Sequence, residues 1–333
     1  MRSLGLFALA LTLVVVVLGA YTRLTDAGLG CPDWPGCYGF HGVPKSEQAR
    51  QLAAERFPDS PLEPVKARNE MVHRYAAGLL GVTILLMALG SLRPAHRTWR
   101  LAAWLLLALV LGQATLGMLT VTLNLLPFVV MGHLLGGFTI LALLFLLACR
   151  GRPSAGPPVR GLWGWYLAGL AVLVVQIALG GWTAANYAAM ACLELPVCQG
   201  DWLGQWQWSA FHPHGVPAES YQYGVLSQPE RITIHAAHRL WAMVTVLALL
   251  ALAWRLWASG LRGWSLALLL GTGLQLALGV MNVVWHLPLA VAVAHNAGAA
   301  ALLLILTGTG ERLWRDREVT KWQEAHCCPE TGS

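Results

Sequence analysis

Charged side chains are scarce in this sequence. Only 11% of its 333 residues are Asp, Glu, Lys or Arg, whereas soluble domains carry roughly 25%. Hydrophobic residues make up 56% of the chain, which excludes a soluble globular domain. Because the formal charge of +6 reflects arginines near the ends of apolar segments, it is a topology signal and gives no sign of a nucleic-acid-binding surface.

Polar interruptions are missing from eight long stretches. A helix needs about 20 apolar residues to cross a bilayer, and all eight stretches approach or reach that length. The first lacks a cleavage site of small residues, so we expect a retained span instead of a signal peptide. The sequence therefore predicts an all-α integral membrane protein with eight transmembrane helices, at roughly 4–22, 71–92, 101–122, 128–149, 162–182, 233–254, 263–284 and 289–308.

Acidic residues are absent from one set of connections between these spans. The basic residues of that set are Arg93, Arg97, Arg100, Arg150, Arg152, Arg160, Arg255 and Arg262. The opposite loops, about 23–69 and 183–232, mix acidic and basic residues. Since an excess of Lys and Arg marks the cytoplasmic side, we expect a cell (plasma) membrane protein with both termini cytoplasmic and both long loops external.

Four of the seven cysteines lie in the two long loops. They form the pairs Cys31/Cys37 and Cys192/Cys198, and an oxidising exterior favours disulfides there. Each bridge is either a structural staple or a dithiol that passes electrons. In the C-terminal tail, the run from His326 to Cys328 is either a metal site or part of a mobile tail. Zinc sites need two spaced ligand pairs, which favours the mobile tail.

The chain repeats itself at offsets of mostly 161 to 165 residues, which is typical of internal duplication. The repeat predicts a tandem duplication of a four-helix unit with pseudo-two-fold symmetry. Proline residues at 153, 157 and 158 place the boundary near 155, giving domains 1–155 and 156–333. The matched elements are Leu18-Gly19 with Leu179-Gly180, Cys31 with Cys192, His41 to Pro44 with His214 to Pro217, His73-Arg74 with His238-Arg239, Gln113 with Gln275, and His133 with His295.

Of the eleven histidines, the repeat selects four in the outer parts of their spans: His73, His133, His238 and His295. Two imidazoles from facing helices of a bundle can ligate haem iron axially. The alternative is hydrogen bonding between helices. Copper and zinc fit less well, because the spans contain no carboxylate or thiolate cluster to complete such a site.

Glu70 and His73 are three residues apart, so they share one face of a helix. The second half has His235 where the first has Glu70, and this difference predicts different duties for two otherwise similar sites. If Glu70 lies in an apolar pocket, it can exchange protons. If it lies at an exposed helix start, its charge only interacts favourably with the helix dipole.

Arginines accompany the histidines at the external edge. Arg74 and Arg239, with Arg23 as a weaker candidate, can pair with haem propionates. Alternatively, these side chains reach towards the lipid headgroups.

These motifs together resemble heme A synthase over essentially all eight spans. The resemblance rests on the run from Thr22 to Gly39, on Glu70-x2-His73-Arg74, and on His133, His238 and His295. It implies an oxidoreductase that converts haem O into haem A for cytochrome oxidase assembly, by hydroxylating a ring methyl twice and losing water to leave a formyl group.

The resemblance also implies roles for individual residues. His73 and His133 would flank the substrate haem O beside the catalytic Glu70, while His238 and His295 would ligate a resident haem B that relays electrons. It implies a functional Cys31/Cys37 pair, and less for Cys192/Cys198. The expected partners are haem O, the lipid bilayer, heme O synthase and an external or membrane electron donor.

Two other function classes compete with this interpretation. A dihaem b-type electron-transfer protein linking quinol and cytochrome explains the four histidines but not the missing twin of Glu70. A haem carrier without catalysis is the third. Two histidine ligands also leave iron no open position for oxygen, so either one ligand dissociates or the chemistry occurs at the ring edge.

Overall fold

The computed structural model describes residues 2–149, 159, 161–196, 198–213 and 216–327, and all regular secondary structure within them is helical. Two short 3-10 helices, Pro94–Trp99 and Trp208–Phe211, lie in connections. The α-helices are α1 (Arg2–Leu24), α2 (Glu47–Arg56), α3 (Pro64–Gly90), α4 (Arg100–Thr122), α5 (Pro127–Cys149), α6 (Trp163–Ala185), α7 (Gln228–Ala258), α8 (Arg262–Val284) and α9 (Leu289–Cys327).

Every α-helix except the short α2 is long and apolar enough to cross a membrane, which confirms the eight predicted spans. The protein is therefore a multi-pass membrane protein. Because an even number of spans separates them, residues 25–63 and 186–227 lie at one end of the molecule, here called the loop end. The described basic residues of the other connections, Arg93, Arg97, Arg100, Arg255 and Arg262, lie at the opposite end. Which end faces the cytoplasm stays a prediction.

Local signals set where α3 and α7 begin, several residues before the predicted apolar stretches. Pro64 occupies the first turn of α3, where its missing N–H costs nothing. Ser227 and Glu230 form a capping box at the start of α7, with the Ser227 N–H donating to Oε2 of Glu230 at 2.9 Å. The earlier start of α3 places Glu70 inside the helix, and Glu70 and His235 are both buried.

The helices form two closed rings. In the first ring α1 and α4 each pack against both α3 and α5, and in the second α6 and α8 each pack against both α7 and α9. Helices α3 and α5 are therefore diagonal partners, as are α7 and α9. We call the two rings the first bundle and the second bundle.

The bundles meet along α5 and α9, flanked by contacts of α1 with α9 and of α5 with α6. A buried apolar core continues across this interface, including Phe138 and Leu141 of α5 and Leu302 and Leu306 of α9. Left-handed backbone conformations also recur at equivalent places: Asp26 and Tyr187 follow α1 and α6, while Asn124 and His286 follow α4 and α8. The duplication stays a prediction, which these recurrences support.

The last helix differs from its predicted end. The apolar pattern stops near residue 308, yet α9 continues as a helix to Cys327. Polar contacts hold this extension: Arg312 pairs with Asp316, and Arg315 donates to the Cys149 carbonyl at 3.3 Å, which caps the end of α5. The linker prolines, His214 and the side chains of His326–Cys328 lie outside the described part of the chain.

Candidate active site

The four predicted histidines lie on the diagonal helices of the two bundles. His73 of α3 and His133 of α5 are close enough to interact electrostatically, as are His238 of α7 and His295 of α9. All four side chains are partly buried. The structure thus brings the imidazoles together as two pairs, each made from opposite walls of one bundle.

Each imidazole lies against a glycine of a neighbouring helix. A Cβ added at that glycine would come within 3.0–3.3 Å of the ring carbon Cε1, which is tighter than nearly all real Cβ contacts. Each ring therefore packs directly on a residue without a side chain, and a methyl group there would displace the ring by a few tenths of an ångström. The pairs are Gly19 with His73, Gly117 with His133, Gly180 with His238, and Gly279 with His295.

These glycines also fix the depth of the site. Each lies five residues before the last residue of its helix, at the loop end of α1, α4, α6 and α8. At 1.5 Å per residue this is about 7.5 Å inside each helix end. The four imidazoles consequently lie at one level near the loop end.

The facing imidazole pairs suit haem better than a bare metal ion. In the described ranges no three His, Cys, Asp or Glu side chains come together as a metal cage, whereas bis-imidazole ligation of haem needs only a facing pair. Small residues on α5 add space, because a Cβ at Gly132 or Gly137 would meet no atom within 4 Å. Gly136 differs, since the Gln113 side chain occupies the space above it. The residues present fit a haem in each bundle.

Glu70 connects this level to the first long loop. Its side chain is only 4% exposed. Oε2 accepts the backbone N–H of Cys31 at 2.8 Å, and Oε1 accepts from Arg74 at 2.5 Å. The Arg74 guanidinium also donates to the carbonyls of Asp33 and Gly36, at 2.8 and 2.5 Å. Glu70 and Arg74 therefore clamp the Cys31 loop onto α3.

The second bundle has the same clamp with an imidazole in place of the carboxylate. The N–H of Cys192 lies 3.3 Å from Nδ1 of His235, and Nε of Arg239 lies 3.2 Å from Nε2. Arg239 also donates to the carbonyls of Cys192 and Glu194, at 2.5 and 2.6 Å. Both neighbours are donors, yet a neutral imidazole has one acceptor nitrogen. His235 can satisfy only one of them, whereas Glu70 satisfies both.

Both predicted disulfides form, Cys31–Cys37 and Cys192–Cys198, which confirms the pairing. Within the first loop Tyr38 is buried in one cluster with Cys31 and Cys37 and donates to the Pro61 carbonyl at 3.1 Å. Burial raises the pKa of the Tyr38 hydroxyl above its ordinary value. Redox activity of either bridge stays a prediction.

Arg23 makes an unexpected contact across the two bundles. It donates to the Ala184 carbonyl at the end of α6 at 2.5 Å, and its guanidinium lies 3.8 Å from the ring centroid of Tyr187. A cation is favourable at a helix C-terminus, where carbonyl groups lack partners. Arg23 thus joins α1 to α6. Propionate pairing by Arg23, Arg74 or Arg239 stays a prediction.

The second long loop reaches over the first bundle. The N–H of Tyr221 donates to the Asn124 carbonyl at 2.9 Å, and the Asn124 side chain donates to the Glu219 carbonyl at 2.8 Å. Trp182 of α6 is only 6% exposed and donates to the Ala210 carbonyl of this loop at 2.9 Å. Nothing in the sequence pattern revealed these long-range contacts.

Comparison with known proteins decides the family. The model of the family described as cytochrome oxidase assembly protein (COX15-CtaA) matches residues 2–307. This chain belongs to the COX15-CtaA family. A protein of Shewanella oneidensis named heme A synthase is 47% identical over 318 residues, covering 94% of this chain and 96% of the relative.

More distant COX15-CtaA relatives carry the same name. Proteins of Sphingopyxis alaskensis and Caulobacter vibrioides, both named heme A synthase, are each 28% identical to this chain. The first match covers 95% of this chain and 93% of the relative, and the second 92% and 94%. The resemblance stated from the sequence is confirmed at the level of the family.

Proposed function

We propose that this chain is a haem A synthase, an oxidoreductase that converts a methyl group of haem O into the formyl group of haem A. The overall change replaces two methyl hydrogens with one oxygen. The observation that carries the proposal is the pair of imidazole couples at one level, each ring held against a glycine. The membrane location suits so apolar a substrate.

In this proposal each bundle binds a different haem. His73 and His133 hold haem O in the first bundle, and His238 and His295 hold a resident haem B in the second. Haem B, when bound, supplies one-electron chemistry. Contacts among α1, α5, α6 and α9 join the two bundles around one apolar core, which supports passage of electrons from one bundle to the other.

Glu70 lies one helical turn before His73 and is the titratable group that distinguishes the first site from the second. We propose that it holds or moves a proton beside the substrate. Protonation of the carboxylate would remove the negative charge that strengthens its hydrogen bonds with Arg74 and with the Cys31 N–H, and so would weaken both. Glu70 therefore couples proton transfer to the position of the first loop.

The two long loops cover the histidine level from one side. We propose that this side is external and that both termini are cytoplasmic in the cell membrane, since the basic connections lie at the opposite end. Heme O synthase and an electron donor stay the expected partners.

Expression with a haem O source, followed by extraction and analysis of the haems, tests the proposal. We expect haem A from the wild type. Retention of two b-type haems with no haem A, where a known haem A synthase makes it under the same conditions, would support the dihaem electron-transfer function instead.

A further inference from the structure

The second bundle supports its histidines with amide side chains. Nε2 of Gln176 on α6 lies 3.2 Å from Nδ1 of His238. On the opposite wall, Nε2 of Gln275 on α8 lies 3.4 Å from Nε2 of His295 and donates to the His295 carbonyl at 2.9 Å. Each imidazole of this bundle therefore has a neutral, hydrogen-bonding side chain beside it.

The first bundle lacks this arrangement. Gln176 lies one turn before Gly180, the glycine that contacts His238, and the residue one turn before Gly19 is Val15. The Val15 side chain offers the His73 ring no hydrogen bond, and the partner there is the Val15 backbone carbonyl instead of an amide side chain. In the described part of the chain no side chain hydrogen-bonds Nδ1 of His73, of His133 or of His295, so among these four imidazoles it is His238 whose Nδ1 has a side-chain partner, Gln176. The two bundles thus differ in the support of their rings.

This difference matters because a ligating histidine uses one nitrogen for the metal and needs a partner for the other. That partner fixes the tautomer and the ring orientation, and its loss typically costs 10–100-fold in metal affinity. Gln176 can act in this way, since its Oε1 is buried without a partner. A half-turn of the amide brings Oε1 to the place of Nε2, where it accepts the Nδ1–H of His238. The lone pair of Nε2 is then available to iron.

We infer that Gln176 is a positioning residue that retains the haem of the second bundle, and that Val15 at the equivalent place leaves the haem of the first bundle exchangeable. The inference rests on the proposed function. It explains how two similar bundles differ, with one retaining a resident haem and the other exchanging substrate and product.

The test compares Gln176→Val, which copies the first bundle, and Gln176→Met, which keeps the chain length without the amide. Two quantities are measured on purified protein: transfer of haem to an apoprotein acceptor, and the low-spin electron paramagnetic resonance signal of the bound haem. We expect at least about 10-fold faster haem loss and shifted resonance positions in both variants. Gln113→Met removes an amide from the first bundle as a control and should leave retention of the resident haem unchanged.

The reciprocal variant Val15→Gln should increase the amount of substrate or product haem that remains bound on purification. If the Gln176 variants retain haem and its resonance as the wild type does, while His238→Ala loses both, the inference is wrong and the site assignment stands. If His238→Ala also leaves the spectrum unchanged, the proposed haem assignment itself is wrong.

Discussion

The carboxylate of Glu70 accepts the backbone N–H of Cys31 at 2.8 Å, across 39 residues of sequence. This bond ties the candidate proton carrier to one half of the Cys31–Cys37 disulfide. Opening of that bridge or protonation of Glu70 would each disturb the other group. The chemistry of the first long loop and that of the haem O site are thereby connected through one hydrogen bond.

Replacement of Glu70 by Gln should stop formyl formation while leaving the resident haem bound. The amide has one acceptor oxygen, so either Cys31 or Arg74 faces an NH₂ group, and we expect the loop clamp to weaken by about 1–3 kcal/mol. Haem extraction measures the product, and the rate at which an external reductant opens Cys31–Cys37 measures the clamp. Glu63→Gln, at an exposed surface ion pair, is the control. A normal yield of haem A would remove Glu70 from the mechanism.

In the second bundle, a substitution at the place equivalent to Glu70 should strengthen the hold on the loop instead of weakening it. His235→Glu provides two acceptor oxygens for the Cys192 N–H and Arg239, where the imidazole serves one. We expect the second loop to be held more firmly and Cys192–Cys198 to be reduced more slowly, which thiol labelling over time would measure. His212→Glu, on an exposed part of the same loop, controls for added charge. Faster reduction in His235→Glu would contradict the acceptor argument.

The eight spans could be predicted because apolar length is read directly from the order of residues. The repeat selected four histidines, which the structure brings together as two pairs, and their role as haem ligands stays a prediction. The sequence also paired the cysteines correctly. The partners of Glu70 and Arg74 were not predictable in the same way, since they are backbone groups of a loop whose path has no period. The repeat did include Gly19 and Gln275. Their contacts with His73 and His295 could not be predicted, because they depend on how α1 packs on α3 and α8 on α9.

Removal of His238 should abolish the absorption bands of the resident haem. The His238 ring comes from α7 and faces His295 of α9, and one remaining imidazole cannot provide the low-spin, bis-imidazole state. Spectra of His238→Ala and His73→Ala, purified in the same detergent, distinguish the bundles. We expect His73→Ala to keep the resident bands. Loss of these bands in His73→Ala alone would reverse the assignment of the two sites.

Arg23→Ala should loosen the contact between the bundles. The variant loses the hydrogen bond to the Ala184 carbonyl and the contact with the Tyr187 ring. A hydrogen bond of a charged group contributes about 1.5–3 kcal/mol, so the midpoint of thermal unfolding in detergent should fall by several degrees. Arg68→Ala, an exposed arginine, should leave it unchanged. If Arg23→Ala instead lowers haem affinity without any effect on unfolding, propionate pairing is its main role.

The glycine contacts give the sharpest test of the site geometry. Gly279 and Gly273 both lie in α8, but a Cβ at Gly279 would lie 3.2 Å from Cε1 of His295, whereas one at Gly273 would meet nothing within 4 Å. Alanine favours a helix interior by roughly 0.5–1 kcal/mol over glycine, so both substitutions gain helix stability. Gly279→Ala must in addition displace the His295 ring. We expect it to shift or weaken the low-spin resonance of the resident haem and to speed haem loss, while Gly273→Ala leaves both unchanged. Identical spectra for the two variants would mean that His295 is not positioned by Gly279.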